Sequence, residues 1–103
     1  MINDGYSIVL FDLPVNTNRD RRNYYRFRKN LIKSGYVMLH KSIYYKYIRE
    51  LKNFEQEKSR VQIISPSTGD IKILKLTNKQ YNSIITIIGN KIPVDSDIDY
   101  IEY

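Results

Sequence analysis

The chain alternates between apolar runs and a single long segment of helical period. Tyr6 to Phe11 is apolar almost throughout, which predicts a strand central in a sheet. Leu13 to Asn18 is a loop holding one Pro and two Asn. Thr17 with Asp20 three residues later resembles a capping box, so a helix is expected from Asn18 to about Ser34, with Gly35 as its stop. Tyr36 to Ile48 is rich in Tyr, Val and Ile and predicts one long strand, or two short ones joined near His40-Lys41. Arg49 to about Ile64 reads as a second helix with Leu51, Phe54, Val61 and Ile64 buried. The loop from Ser65 to Gly69 ends it.

Asp70 to Leu76 alternates as a strand, with Ile71, Ile73 and either Leu74 or Leu76 inward. Thr77 can cap a short helix through Tyr81. Ser83 to Ile88 is a further β-branched run, closed by Gly89-Asn90. The tail VDSDIDYIEY alternates acidic and apolar residues like a strand seeking an edge. The order βαββαβ, with an extra C-terminal β-strand, is the α+β ferredoxin-like pattern: an antiparallel sheet with helices on one face. Residues 1–91 are expected to form this domain. Residues 92–103 are expected to be a tail that contacts a partner. One sheet face is left without helices and must be polar or covered.

Composition narrows the chemistry. With 103 residues one domain is expected. Its core is modest, and dimerisation would help it. There is no cysteine, so thiol catalysis, disulfides and thiolate metal sites are excluded. No apolar run approaches the roughly 20 residues of a membrane span, and the start lacks a basic region before its apolar run. A soluble, cytoplasmic protein without a membrane partner is expected. The net charge is +6. Residues 1–50 carry ten Lys or Arg against four acids, while residues 51–103 carry seven of each. The excess therefore sits in the first half, which suggests one positive face and a polyanionic partner.

The strongest constellation lies in NRDRRNYYRFRKNLIKSG. Arg19, Arg22, Arg26, Lys29 and Lys33 are spaced 3, 4, 3, 4 and form one helical stripe. Tyr24, Phe27 and Leu31 fall nearly opposite, on the face that should pack against the sheet. Arg21 and Arg28 flank the stripe, and Asp20 is the only acid between residues 13 and 49. Stacked like charges repel by a few tenths of a kcal/mol per pair. Phosphates would neutralise that cost, and the expected mode is backbone contact with little sequence reading. The bland alternative is a solvated basic face. Most of the ten tyrosines are explained by strand propensity and packing; Tyr44, Tyr45 and Tyr47 fit a strand with one aromatic face.

Asp12 closes the first strand in VLFDLP. A charge at the edge of a core needs compensation by a turn, a cation, a metal ion or a symmetry partner. One carboxylate holds magnesium poorly, but a two-fold axis beside the strand end would supply a second Asp12. His40 is the only histidine. It reads as a surface residue of a strand or, with no evident partner, as a general base. There is no Ser-His-Asp set, Gly-rich phosphate loop or zinc spacing.

YSIVLFDLP, NRDRRNYYRFRKNLIKSGY and VMLHKSIYYK together resemble the CRISPR-associated protein 2 family. FDLP, FRK, SGYVML and GDIKILKLTNKQY look most like members from type II systems. The resemblance implies a ferredoxin-like homodimer flanked by integrase subunits, with double-stranded DNA, or RNA, on its basic surface. It also implies a metal-dependent nuclease activity. Asp12 carries over as the catalytic and metal-binding acid, with Mg2+ shared across the dimer. Arg19, Arg22, Arg26 and Arg28 carry over as nucleic-acid backbone contacts, and Lys29 and Lys33 extend them. His40-Lys41-Ser42-Ile43-Tyr44 departs from the family's Gln-x-Ser-Val-Phe-like segment at His40 and Tyr44. The reading favoured is a spacer-acquisition adaptor. A metal-dependent endonuclease is the alternative, and a ligand-binding regulatory domain a weaker one.

Overall fold

The computed structural model describes residues 3–94. Their elements run β1 (Gly5–Asp12), α1 (Asn18–Lys33), β2 (Val37–His40), β3 (Ile43–Ile48), α2 (Phe54–Ile64), β4 (Asp70–Thr77) and α3 (Asn78–Asn82). A 3-10 turn, Leu51–Asn53, leads into α2. The four strands form one antiparallel sheet in the order β2-β3-β1-β4, so the ferredoxin-like α+β expectation holds. β1 is central because both its faces are apolar, and only a strand with neighbours on each side can bury both.

Local signals explain the boundaries. Thr17 accepts from Asp20 N and Asp20 accepts from Thr17 N, which completes the capping box of α1. Gly35, at φ +96°, ends that helix in a conformation that side-chain-bearing residues resist. The segment after it splits into two strands, with a register shift between Met38 and His40. Thr77 and Gln80 repeat the capping-box device on α3. The second helix begins later than Arg49, after the 3-10 turn.

Pleating sends alternate residues of β1 to opposite sides. Val9 and Phe11 join Phe27, Leu31, Tyr36, Tyr44 and Val61 in the core beneath α1 and α2. Tyr6 and Ile8 join Tyr45 and Tyr81 on the other side, with Leu10, Ile43, Tyr47 and Leu76 packed against them. Tyr81 of α3 stacks on Tyr6 with ring centroids 3.6 Å apart and planes at 15°. The third helix thus covers one end of the face expected to lack helices. Tyr45 and Tyr47 share that face with Tyr6, whereas Tyr44 points to the opposite core.

Two further expectations need correction. Ser83 to Ile88 forms no strand. Ile85, Ile87 and Ile88 stand 80%, 87% and 93% exposed, so the run has β-propensity but no neighbour to pair with among the described residues. α2 buries Glu57 as well as Val61, while Phe54 and Ile64 are only half-buried. Ile92 packs against the Tyr6 cluster, and Tyr81 Oη donates to Pro93 O at 2.6 Å. The acidic tail from Asp95, expected as the extra strand, lies outside the described residues.

Candidate nucleic-acid interface and carboxylate site

α1 holds its cations where the period places them. Phe27 and Leu31 are fully buried, and this anchors the rotation of the helix. Arg19, Arg22, Arg26, Lys29 and Lys33 are consequently all exposed. From Arg19 to Lys33 the stripe runs about 21 Å, at roughly 1.5 Å per residue. That matches about six base pairs of duplex, given roughly 3.4 Å per pair. Arg19, Arg21 and Arg22 lie in the first turns, where the helix dipole disfavours cations, and only Asp20 offsets them there.

Two arginines beside the stripe are committed to the protein. Arg21 donates to Val15 O at 3.0 Å, and also to Asn16 O and Asn18 Oδ1, which fastens the loop before the helix. Arg28 is half-buried and its Nε donates to Tyr44 Oη at 2.8 Å. Of the six expected backbone contacts, Arg28 is therefore the one whose orientation is set by the core.

Asp12 ends β1 on the side of Tyr6, Ile8 and Leu10, away from α1 and α2, and is exposed. The register of β1 with β4 sets it opposite Asp70. Like charges directly opposite repel. Lys72 offsets Asp70 with Nζ at 2.6 and 2.7 Å from its two carboxylate oxygens. Among the described residues no hydrogen bond or ion pair holds the Asp12 carboxylate, so neither a turn nor a cation compensates it. Gly69, at φ +102°, lies close below: a Cβ there would stand 2.5 Å from Leu13 Cδ2 and 3.1 Å from Asp12 O. That close approach lets β4 begin where Asp12 ends.

Among the described residues no group of three or more His, Cys, Asp or Glu could hold an ion. The hard oxygen donors of Asp12 do suit magnesium, which takes one or two carboxylates and keeps its remaining waters. His40 is exposed on the edge strand β2 and pairs with Ile43, which pairs in turn with Leu10. It shares a face with Asp12, but strand β3 lies between them, so the two form no dyad among the described residues.

Pattern reading missed a polar network inside the α1–α2 face. Glu57, 5% exposed, accepts from Lys46 Nζ at 3.1 Å, Arg60 Nη1 at 2.9 Å and Tyr36 Oη at 3.3 Å. Tyr36 Oη also meets Ser7 Oγ at 2.8 Å. Burial pushes the Tyr36 phenol well above its ordinary range; the Ser7 hydrogen bond opposes this and the Glu57 carboxylate reinforces it. The only available signal was Glu57 on the helical face of Val61, four residues away, where an apolar residue is expected.

Sequence comparisons place the chain among known proteins. The family model for CRISPR associated protein Cas2 matches residues 5–84. That span runs from the start of β1 past the end of α3. A protein of Treponema denticola named CRISPR-associated endoribonuclease Cas2 is 44% identical over 82 residues, 80% of this chain and 81% of its own. Proteins of the same name from Ligilactobacillus salivarius and Lacticaseibacillus rhamnosus are 40% and 37% identical, each over 82% of this chain and 84% and 83% of their own. By that match over most of its length and by those identities, the chain belongs to the CRISPR-associated Cas2 family.

Proposed function

We propose that the protein is a nucleic-acid-binding adaptor of CRISPR spacer acquisition. Two copies join through the sheet face that carries Asp12, present their α1 stripes to a DNA duplex and bridge integrase subunits. The exposed, single-signed stripe Arg19-Arg22-Arg26-Lys29-Lys33 carries this reading. Its cations line one helix face over a length suited to successive phosphates, and no base-reading motif accompanies them. Dimerisation is supported by the partly apolar face away from α1 and α2, where Leu74 is 38% exposed beyond the cover of α3, and by the exposed isoleucines after α3. The integrase partner is an expectation drawn from the family.

The second reading is a metal-dependent endonuclease, favoured by the exposed Asp12 and by the relatives' name, which specifies RNA. In it, Asp12 of each copy would hold magnesium between them. Such an ion would acidify a bound water for attack on a phosphodiester.

One experiment separates the two. Asp12→Asn removes a charge opposite Asp70 and leaves folding intact or slightly favoured. The adaptor reading expects duplex binding and spacer integration to persist in this variant while any nuclease activity disappears. Loss of integration with dimer and binding preserved overturns it. In parallel, Arg22→Ala with Arg26→Ala should lower the slope of log affinity against log salt by about two. An unchanged slope would remove the stripe from the interface.

A further inference from the structure

The outer side of α1 carries a ring as well as charges. Tyr25 is 68% exposed, and Ile32, two turns further on, is 49% exposed. At about 100° per residue they share one line along the helix. Arg22 and Lys29 border that line on one side, Arg21 and Arg28 on the other. Depressions open on both sides of the Tyr25 ring. One, of about 360 Å³, is lined by Val15, Arg21, Tyr24, Tyr25 and Arg28. The other, of about 530 Å³, is lined by Tyr25, Arg26, Arg28, Lys29, Ile32 and Lys33.

The surroundings of the ring are fixed from below. Tyr24 packs on Phe11 at 6.1 Å and meets Tyr25 edge-on at 6.2 Å and 90°. Arg21 is held by the loop before α1, and Arg28 by Tyr44. An aromatic ring standing between two rows of cations, one of them held in place, offers partners for what a nucleotide carries: a flat π face attached to a phosphate. Pure backbone binding to a duplex leaves such a ring unused, because every paired base is already stacked on its neighbours.

We propose that Tyr25 is a stacking platform for one unpaired base of a nucleic acid whose phosphates lie along the flanking cations. The proposal rests on the nucleic-acid reading of α1 and adds a preference to it, for strands with an unpaired end, loop or extruded base. The arrangement favours nucleic acid over an acidic peptide, since a carboxylate would satisfy the cations but bring nothing to the ring.

The test uses the full chain and three probes: a thymidine octanucleotide, the same strand with abasic positions and therefore equal charge, and a blunt duplex long enough to stay annealed. Affinities are read by fluorescence anisotropy at two salt concentrations. Tyr25→Leu should weaken thymidine-strand binding about tenfold relative to the duplex. Tyr25→Phe should restore it, and the abasic strand should not distinguish Leu from Tyr. If Tyr25→Leu changes thymidine and abasic strands equally, or neither, the stacking site is wrong while the phosphate stripe stands. If the native protein binds none of the probes in a salt-sensitive way, the nucleic-acid reading falls and this proposal with it.

Discussion

The two faces of the sheet are built from the same central strand and come to opposite ends. On the α1–α2 face, Ser7, Val9 and Phe11 of β1 are buried at 0%, 0% and 6% exposure, and the polar groups there bond one another. On the other face, Tyr6 and Ile8 are covered by α3, but the cover runs out along the strand. Leu10 is half-buried, Leu74 is partly bare, and Asp12 at the far end is exposed. The first face is finished within one chain. Among the described residues the second is finished at one end only, and Asp12 stands at its open end. The pleat alone thus sends adjacent residues of one strand into different surroundings.

Substitutions on each face probe that separation. The largest effect is expected on the finished face. Phe27 is wholly buried and packs edge-on to Phe11 at 5.1 Å and 82°. Phe27→Ala should lower the unfolding free energy by about 3–5 kcal/mol in urea titration. A loss under about 1 kcal/mol would show that α1 is not anchored as described.

A smaller effect concerns the buried network. Tyr36→Phe removes the hydroxyl that joins Ser7 to Glu57, at a cost of about 1–2 kcal/mol near neutral pH. The sign of its pH dependence follows from the raised phenol pKa. The folded protein keeps the proton above the ordinary value of 10.0, where the unfolded chain releases it. The stability contributed by Tyr36 is therefore complete below about pH 10 and declines as pH rises further. The gap between the native protein and Tyr36→Phe should narrow from pH 8 to pH 11. A constant gap would contradict the burial of the phenol.

The smallest folding effect is expected on the open face. Leu74→Asp alters a partly exposed position and should change monomer stability by no more than about 0.5 kcal/mol. It should nonetheless shift sedimentation toward the monomer if this face joins two copies. An unshifted dimer would place the interface elsewhere and sharpen the contrast in the other direction.

Much of α1 was legible in the sequence, because everything that specifies it lies within a few residues. The capping box Thr17-Asp20, the stop at Gly35 and the opposition of Phe27 and Leu31 to the arginine stripe are relations at spacings of three and four. Hydrophobic period also made β1, β4 and the capped turn at Thr77 readable. Ser83 to Ile88 was misread for the converse reason: its residues suit a strand, but a strand also needs an edge to join. Glu57 escaped because its partners Tyr36 and Lys46 come from other elements.

The sequence alone therefore determined the order of elements, the cationic face of α1 and the position of Asp12 at a strand end. Tertiary structure decided what those residues meet. It set Asp70 opposite Asp12, tied Arg28 to Tyr44, packed a half-buried Tyr24 against Phe11 and left its neighbour Tyr25 standing in the open. The physical reason is range. Periodicity and capping act between neighbours along the chain, whereas register and packing join residues that only the closed sheet brings within contact distance.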